Sequence, residues 1–342
     1  KSQFEYFDFM DDGSYIPKLA YRSLAGLKIF GGCSRALPKK SLRLVSRARY
    51  ENSYFQYPFF KDQEDIQKYD SIVLRSSGQD SKYTGFRDVL VNSLVQDLNV
   101  DKQHYQPVVV YVNGEYWGLY HLREKINEEF LARREGVDVS KHTYKVITGN
   151  VTWPNAFRRD VIQHLDRKDP TDQEAIDWVE SQVDIQSFMD WLLVEIFLNN
   201  RDIVNVRYWR SSAPDSKWRW ILYDLDMTLG SAFEDAFSRM LLEDFHPDFG
   251  ALFWWLMKNP DMKTKFLERA NQLWRQNFHP QNISNAISSF QNRYELEMKA
   301  DRKRWEMRYW NFHVDRISYF PRLRPANLRR EFKRHLNLSE EE

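Results

Sequence analysis

The sequence predicts an α+β protein, strand-rich in its first part and mostly helical in its second. Three observations carry this. Two alternating apolar runs, 107–112 and 115–120, flank Asn113-Gly114. Residues 184–200 set Phe188, Trp191, Leu192, Val194, Ile196 and Phe197 around a rod of helical length. The 342 residues, 42% hydrophobic and 29% charged, are enough for one large domain or two lobes with a sizeable core. The two parts are expected to join between about Glu124 and Asn150.

Residues 26–30 alternate, Gly31-Gly32 breaks the run, and 38–44 resumes it with period two. Residues 86–98 carry Val89, Leu90, Leu94, Val95 and Leu98 at helical spacing. Asn113-Gly114 predicts a hairpin, because both central residues of a type I′ turn need positive φ. Helices are expected at 172–183 and 184–200, the second capped by Asp184. Residues 204–210 and 217–223 read as strands around the turn chemistry of 211–216. Further helices are expected at 261–278, 283–305 and 325–336. The basic cluster 322–335 has Leu328, Phe332 and Leu336 on one face and reads as an amphipathic helix with a solvated side.

Fifty basic and 49 acidic residues give a net charge of +1, which offers no global attraction to nucleic acid or an anionic membrane. No apolar run approaches the roughly 18 residues of a membrane helix. The single cysteine, Cys33, excludes an internal disulfide framework and a cysteine-based zinc site. The chain begins at Lys1 with no signal-like segment, as expected of a trimmed or mature fragment. Aromatic residues make up 15%, which predicts a core rich in large rings; exposed rings for glycan stacking are the alternative.

The segment 199–205, Asn-Asn-Arg-Asp-Ile-Val-Asn, precedes the second strand pair, and Tyr223-Asp224-Leu225-Asp226 follows it. In an antiparallel pair the start of one strand lies beside the end of the other, about 5 Å away. Asp202 and Asn205 are therefore expected near Asp224 and Asp226. Hard cations such as Mg²⁺ take oxygen ligands, one or two carboxylates together with substrate phosphates. Asp202 could align or deprotonate a hydroxyl while Asn205, Asp224 and Asp226 hold the metal. Protein kinases use an Asp, an Asn and a second Asp in the same chain order. In the alternative reading Asp202 ends a helix, and Asp224 and Asp226 cap turns or pair with Arg201, Arg207 or Arg219.

A candidate phosphate clamp lies upstream. Gly31-Gly32 is followed eight residues later by Lys40, which alternation puts on the same, buried face as Leu42 and Leu44. Lys39 falls on the other face with Ser41 and Arg43. Arg75 is a second phosphate candidate, and Glu124 is a candidate ion-pair partner for Lys40. An ordinary hairpin is the simpler reading of the glycines, and each charge alone reads as lobe-stabilising. The pattern is not a Walker A loop, since no lysine directly follows the last glycine and no helix follows.

Three segments carry a resemblance: Leu-Pro-Lys-Lys-Ser-Leu-Arg-Leu at 37–44, Val-Tyr-Val-Asn-Gly-Glu-Tyr-Trp-Gly-Leu-Tyr at 110–120, and Lys-Trp-Arg-Trp-Ile-Leu-Tyr-Asp-Leu-Asp at 217–226. Their order and spacing resemble the CotH family, the spore-coat protein H kinases, over about 25–335. Asn199-Arg201-Asp202 and 206–210 resemble the variant in secreted or surface proteins of Bacteroidetes. The resemblance implies one atypical protein-kinase-like domain over 1–342, with a bilobal fold: an N-lobe of about 1–125 and a C-lobe of about 126–342. It further implies ATP and Mg²⁺ (or Mn²⁺) as cofactors, Ser or Thr of a protein substrate as acceptor, and a secreted or cell-surface location. Asp202 would be the catalytic residue, Asp224 the metal aspartate, Asp226 the end of the family's Asp-x-Asp, and Lys40 part of its Pro-Lys-Lys-Ser strand. The interval from Asp202 to Asn205 is shorter than in the kinases that define the family, and Tyr223 stands where many members have Trp. The competing reading is therefore a kinase-like surface binding or assembly protein without catalysis. A glycan-binding module is a third.

Overall fold

The fold comes from a computed structural model that describes residues 1–9, 16–149, 155–202, 205–241, 247–306 and 308–339. The chain forms two compact units and passes between them more than once. One comprises Lys1–Gly85, Gln103–Arg133 and Glu295–Arg308; the other comprises Phe86–Lys102, Arg134–Tyr294 and Tyr309–Glu342.

The first unit is built on strands β1 (Ser2–Asp8), β2 (Lys18–Phe30), β3 (Ser41–Val45), β4 (Phe55–Gln56), β5 (Lys68–Tyr69), β6 (Ser71–Arg75), β7 (Tyr105–Val112) and β8 (Glu115–Glu124). Six of them form one sheet in the order β1-β2-β3-β6-β8-β7, with every neighbouring pair antiparallel. β4 and β5 pair separately. Ala25, Leu44, Ile72, Leu74, Tyr120 and Leu122 of the sheet pack with Phe55, Phe59, Phe60 and Tyr69 in one buried cluster. Each Leu, Ile or Phe among them contributes about 1.5–3 kcal/mol of burial. The predicted β7–β8 hairpin is present, with Asn113 at φ 52° and Gly114 at φ 81°. Gly118 of β8 has φ +123°, and a side chain there would collide with the Asp301 carboxylate.

In the second unit β9 (Tyr144–Thr148), β10 (Arg207–Ser211) and β11 (Arg219–Ile221) form an antiparallel sheet with β10 in the middle. The expected β10–β11 pairing is present. Val204, expected as part of the first strand, lies outside the described residues, and β10 begins at Arg207. β9 is an addition that the sequence reading did not identify. The predicted helices appear as Arg87–Leu94, Gln173–Gln182, Ile185–Phe197, Pro260–Arg275, Pro280–Trp305 and Phe320–Leu336. Helices Glu128–Glu135, Ala236–Leu241, Pro247–Met257 and Trp310–Ser318 were not predicted.

Helix Ile185–Phe197 starts where the sequence places it, because the Asp184 side chain accepts from the Ser187 N–H at 2.9 Å. Every residue from Ser187 to Phe197 is buried. Trp191, Trp209, Trp218 and Trp220 are each fully buried, and Phe157, Phe188, Tyr208 and Phe249 pack against members of this group. Much of the aromatic content therefore fills the core; among the described residues no tryptophan is exposed, whereas Tyr83, Tyr111, Tyr309 and Tyr319 are.

Candidate active site

The acidic site is assembled where helix Ile185–Phe197 ends and the β10–β11 hairpin opens. Strand pairing ends at Arg207 opposite Ile221, so Asn205 and Tyr223 continue from the same end of the ladder. The Arg207 guanidinium stacks 3.6 Å over the Tyr223 ring, which holds the two chains together beyond the last backbone pair. The hairpin is fixed from behind by Asp101. Its N–H donates to Trp220 O, its carbonyl accepts from Leu222 N–H, and its carboxylate accepts from Trp209 Nε1 at 2.8 Å.

At the helix C-terminus Asn199 turns left-handed, with φ 50°. The Asp202 N–H then donates to Asn200 Oδ1 at 3.1 Å. On the other side Asp224 is also left-handed, at φ 61° and ψ 57°, a region that Asp tolerates better than most side chains. That turn leads into a short helical turn, Leu225–Met227, which brings Asp226 back into the site. The turn is held by the Asp88 carboxylate, which accepts from Leu225 N–H, and by Thr228, which donates to Leu225 O. The two acidic segments are joined directly by Leu229 N–H donating to Leu198 O at 2.9 Å.

As a result, ligand oxygens of Asp202, Asp224 and Asp226 all lie within 4.8 Å of one another. Asp226 is fully buried, and the other two are half-buried. Asn205 stands between them, its Nδ2 donating to Asp202 Oδ2 and to Asp224 Oδ2, each at 2.8 Å. The four residues grouped by sequence are thus brought together. Asn205 meets the carboxylates as a donor; as a metal ligand it would turn its Oδ1 inward. Three negative charges at this spacing repel by roughly 3 kcal/mol per pair at an effective dielectric of 20. An oxygen-only donor set of high negative charge suits Mg²⁺ or Mn²⁺.

Beneath the site, Glu195 is buried in the helix. Burial pushes its carboxyl up to about 8, a hydrogen bond with Asn200 opposes this, and the Asp202 charge adds to it. Glu195 is therefore largely protonated at neutral pH. Asn200 links Glu195 to Asp202. Neither residue was singled out from sequence, although Asn200 lies within the acidic motif.

The two neighbouring lysines are arranged otherwise than alternation predicts. Lys39, not Lys40, is the buried lysine: it is 6% exposed and donates to Leu119 O and Asp301 Oδ1, both at 2.7 Å. Burial lowers its pKa, and the Asp301 charge opposes that shift. Lys40 is half-buried, and its ammonium donates to the carbonyls of Arg35 and Leu37. The expectation failed because regular pairing begins only at Ser41, so the alternation of Leu42 and Leu44 does not extend back to Lys40. It failed also because the carboxylate that makes burial of Lys39 possible lies 262 positions away. Glu124 is buried but does not pair with Lys40; its carboxylate accepts from Arg133 and from the His104 N–H. Arg75 is 9% exposed at the end of β6.

The sequence profile of a family described as CotH kinase protein matches residues 27–328. No curated protein matches the chain significantly.

Proposed function

Because the chain belongs to the CotH kinase protein family, we propose that it is an atypical, divalent-cation-dependent kinase that transfers the γ-phosphoryl group of ATP to a Ser or Thr hydroxyl of a protein. The observation that carries this reading is the convergence of the Asp202, Asp224 and Asp226 carboxylates within 4.8 Å. Asp224 and Asp226 would hold Mg²⁺ or Mn²⁺, with Asn205 fixing the carboxylates or lending its amide oxygen. When bound, the cation neutralises charge on the phosphate oxygens. Asp202 orients the acceptor hydroxyl and takes its proton as the oxygen bonds to the γ-phosphorus and the bond to the β-phosphate oxygen breaks, releasing ADP. Positioning and fixed charge supply most of the rate in such a reaction.

Arg75, Lys40 and Glu124 remain the candidates for the nucleotide. Carbonyls hold the Lys40 ammonium, and Arg133 pairs with Glu124, so each would exchange a partner on binding. A secreted or surface location belongs to the same family reading. The test is transfer from γ-labelled ATP to a mixed protein substrate with Mg²⁺ or Mn²⁺. Label incorporation that disappears in Asp202→Asn and Asp224→Asn is the expected result. ATP-dependent thermal stabilisation without any incorporation would instead favour a kinase-like binding module.

A further inference from the structure

Arg239 lies in the helix Ala236–Leu241, outside the acidic motif, and its side chain is 17% exposed. One of its terminal nitrogens donates to Asn199 Oδ1 at 2.5 Å and to Asn200 O at 3.1 Å. The other donates to Glu234 Oε2 at 2.6 Å. The same Glu234 oxygen lies 3.2 Å from Arg201 Nε. Asn199 completes the loop of contacts by donating its Nδ2 to Ser231 O at 2.6 Å. One guanidinium thus joins the segment that leads into Asp202 to the segment that follows Asp226. The join matters because the carboxylates repel, and Asp202 lies beyond the left-handed turn at Asn199, where the helix's own hydrogen bonds end with Asn200 N–H donating to Glu195 O at 3.0 Å. The planar fork of arginine suits this task, since two fixed nitrogens can meet acceptors on different segments, which a lysine ammonium cannot do with the same geometry.

A second arginine works nearby at greater depth. Arg324 is 2% exposed, pairs with Glu331, and donates to Ile196 O, Phe197 O, Ala232 O and Glu234 O. It ties the same two segments at the end of the buried helix and belongs to the core. Arg239 is the outer tie, closest in the chain of contacts to Asp202.

We propose that Arg239 is a positioning residue for the three-carboxylate site, fixing Asp202 against Asp224 and Asp226 through Asn199 and Asn200. Its effect on phosphoryl transfer rests on the kinase reading; its effect on the geometry of the acidic site does not. Arg239→Ala lowers Mn²⁺ affinity and transfer kcat by about 10- to 100-fold, the range of losses for residues that orient ligands. Ethylguanidinium added to Arg239→Ala restores a substantial part of both, and Arg239→Lys does not. A residue that merely held the fold together would lower the urea midpoint while leaving Mn²⁺ affinity and exchange at Asp202 unchanged.

The deciding measurement is amide hydrogen exchange at Asn200 and Asp202 in the wild type and in Arg239→Ala, with and without ethylguanidinium. Exchange faster by at least about tenfold, reversed by the guanidinium, is expected from an opened loop. Unchanged exchange overturns the proposal. If the wild type transfers no phosphate, the kinase reading fails while the exchange result still decides the role of Arg239. A variant that unfolds is replaced by Arg239→Gln, which keeps the helix and one donor and is held to the same exchange criterion.

Discussion

The Lys39 ammonium lies 2.7 Å from the Asp301 carboxylate, and the two side chains are 7% and 0% exposed. Asp301 Oδ1 also accepts from the Leu119 N–H at 2.8 Å. One buried carboxylate therefore ties the start of β3 and the middle of β8 to the end of helix Pro280–Trp305. Removing one partner of such a pair leaves a buried charge uncompensated, at a cost of about 3–5 kcal/mol. Lys39→Met is expected to lose this much in urea unfolding, and Lys40→Met under about 1 kcal/mol. Equal losses would contradict the assignment of Lys39 as the buried lysine.

Gly118 answers to the same carboxylate. Alanine there must adopt φ +123° and displace Asp301. Gly118→Ala is expected to cost about 2–4 kcal/mol, from backbone strain and loss of the Asp301 contacts. Gly114→Ala, where a side chain meets open space, carries the turn strain alone and should cost less. Thermal melts of the two variants give the comparison.

The raised pKa of Glu195 makes a pH prediction. The folded protein holds a proton on this carboxyl up to about pH 8, whereas the unfolded chain releases it near 4.5. Between those values the native state binds more protons, so stability is full below about pH 4.5 and falls as pH rises to about 8. The size is about 3–5 kcal/mol at most. Glu195→Gln keeps the buried shape and removes the proton exchange, so the difference between the two proteins should change with pH over that window. Urea midpoints measured from pH 5 to 8 that run parallel would count against a buried, protonated Glu195.

Repulsion among the three acids gives a prediction of opposite sign to an ordinary loss of function. Without divalent cation, Asp226→Asn relieves repulsion and should raise stability by about 1–2 kcal/mol. With Mn²⁺ at a hundred times its Kd, the wild type gains about 2.7 kcal/mol and the variant far less. The order of the two melting temperatures should therefore invert when Mn²⁺ is added.

Much of this arrangement was legible in the sequence because it is local. Asn113-Gly114 needs only its own backbone to make the turn, and Asp184 caps its helix through an N–H three residues away. The acidic centre was legible because one antiparallel pair brings its parts together, and alternation reveals such a pair. Lys39 was missed because its partner comes from Glu295–Arg308, a segment that returns to the strand-rich unit from the far end of the chain. Arg239 was missed for a related reason: in sequence it is one arginine in a short helix, and only the fold sets its guanidinium between Asn199 and Glu234. β9 adds to the hairpin from nearly sixty residues upstream, through a register running from Arg207↔Thr148 to Ser211↔Tyr144 that no local pattern encodes.

On the proposed reading, Asp224 and Asp226 hold one divalent cation together with the phosphates of ATP, with Asp202 beside it. Anomalous diffraction from crystals grown with Mn²⁺ and a non-hydrolysable ATP analogue tests it directly. One strong manganese peak is expected, with oxygens of Asp224 and Asp226 at about 2.0–2.3 Å and a phosphate oxygen in the same coordination shell. Nucleotide bound elsewhere, with no manganese at the three carboxylates, would contradict it.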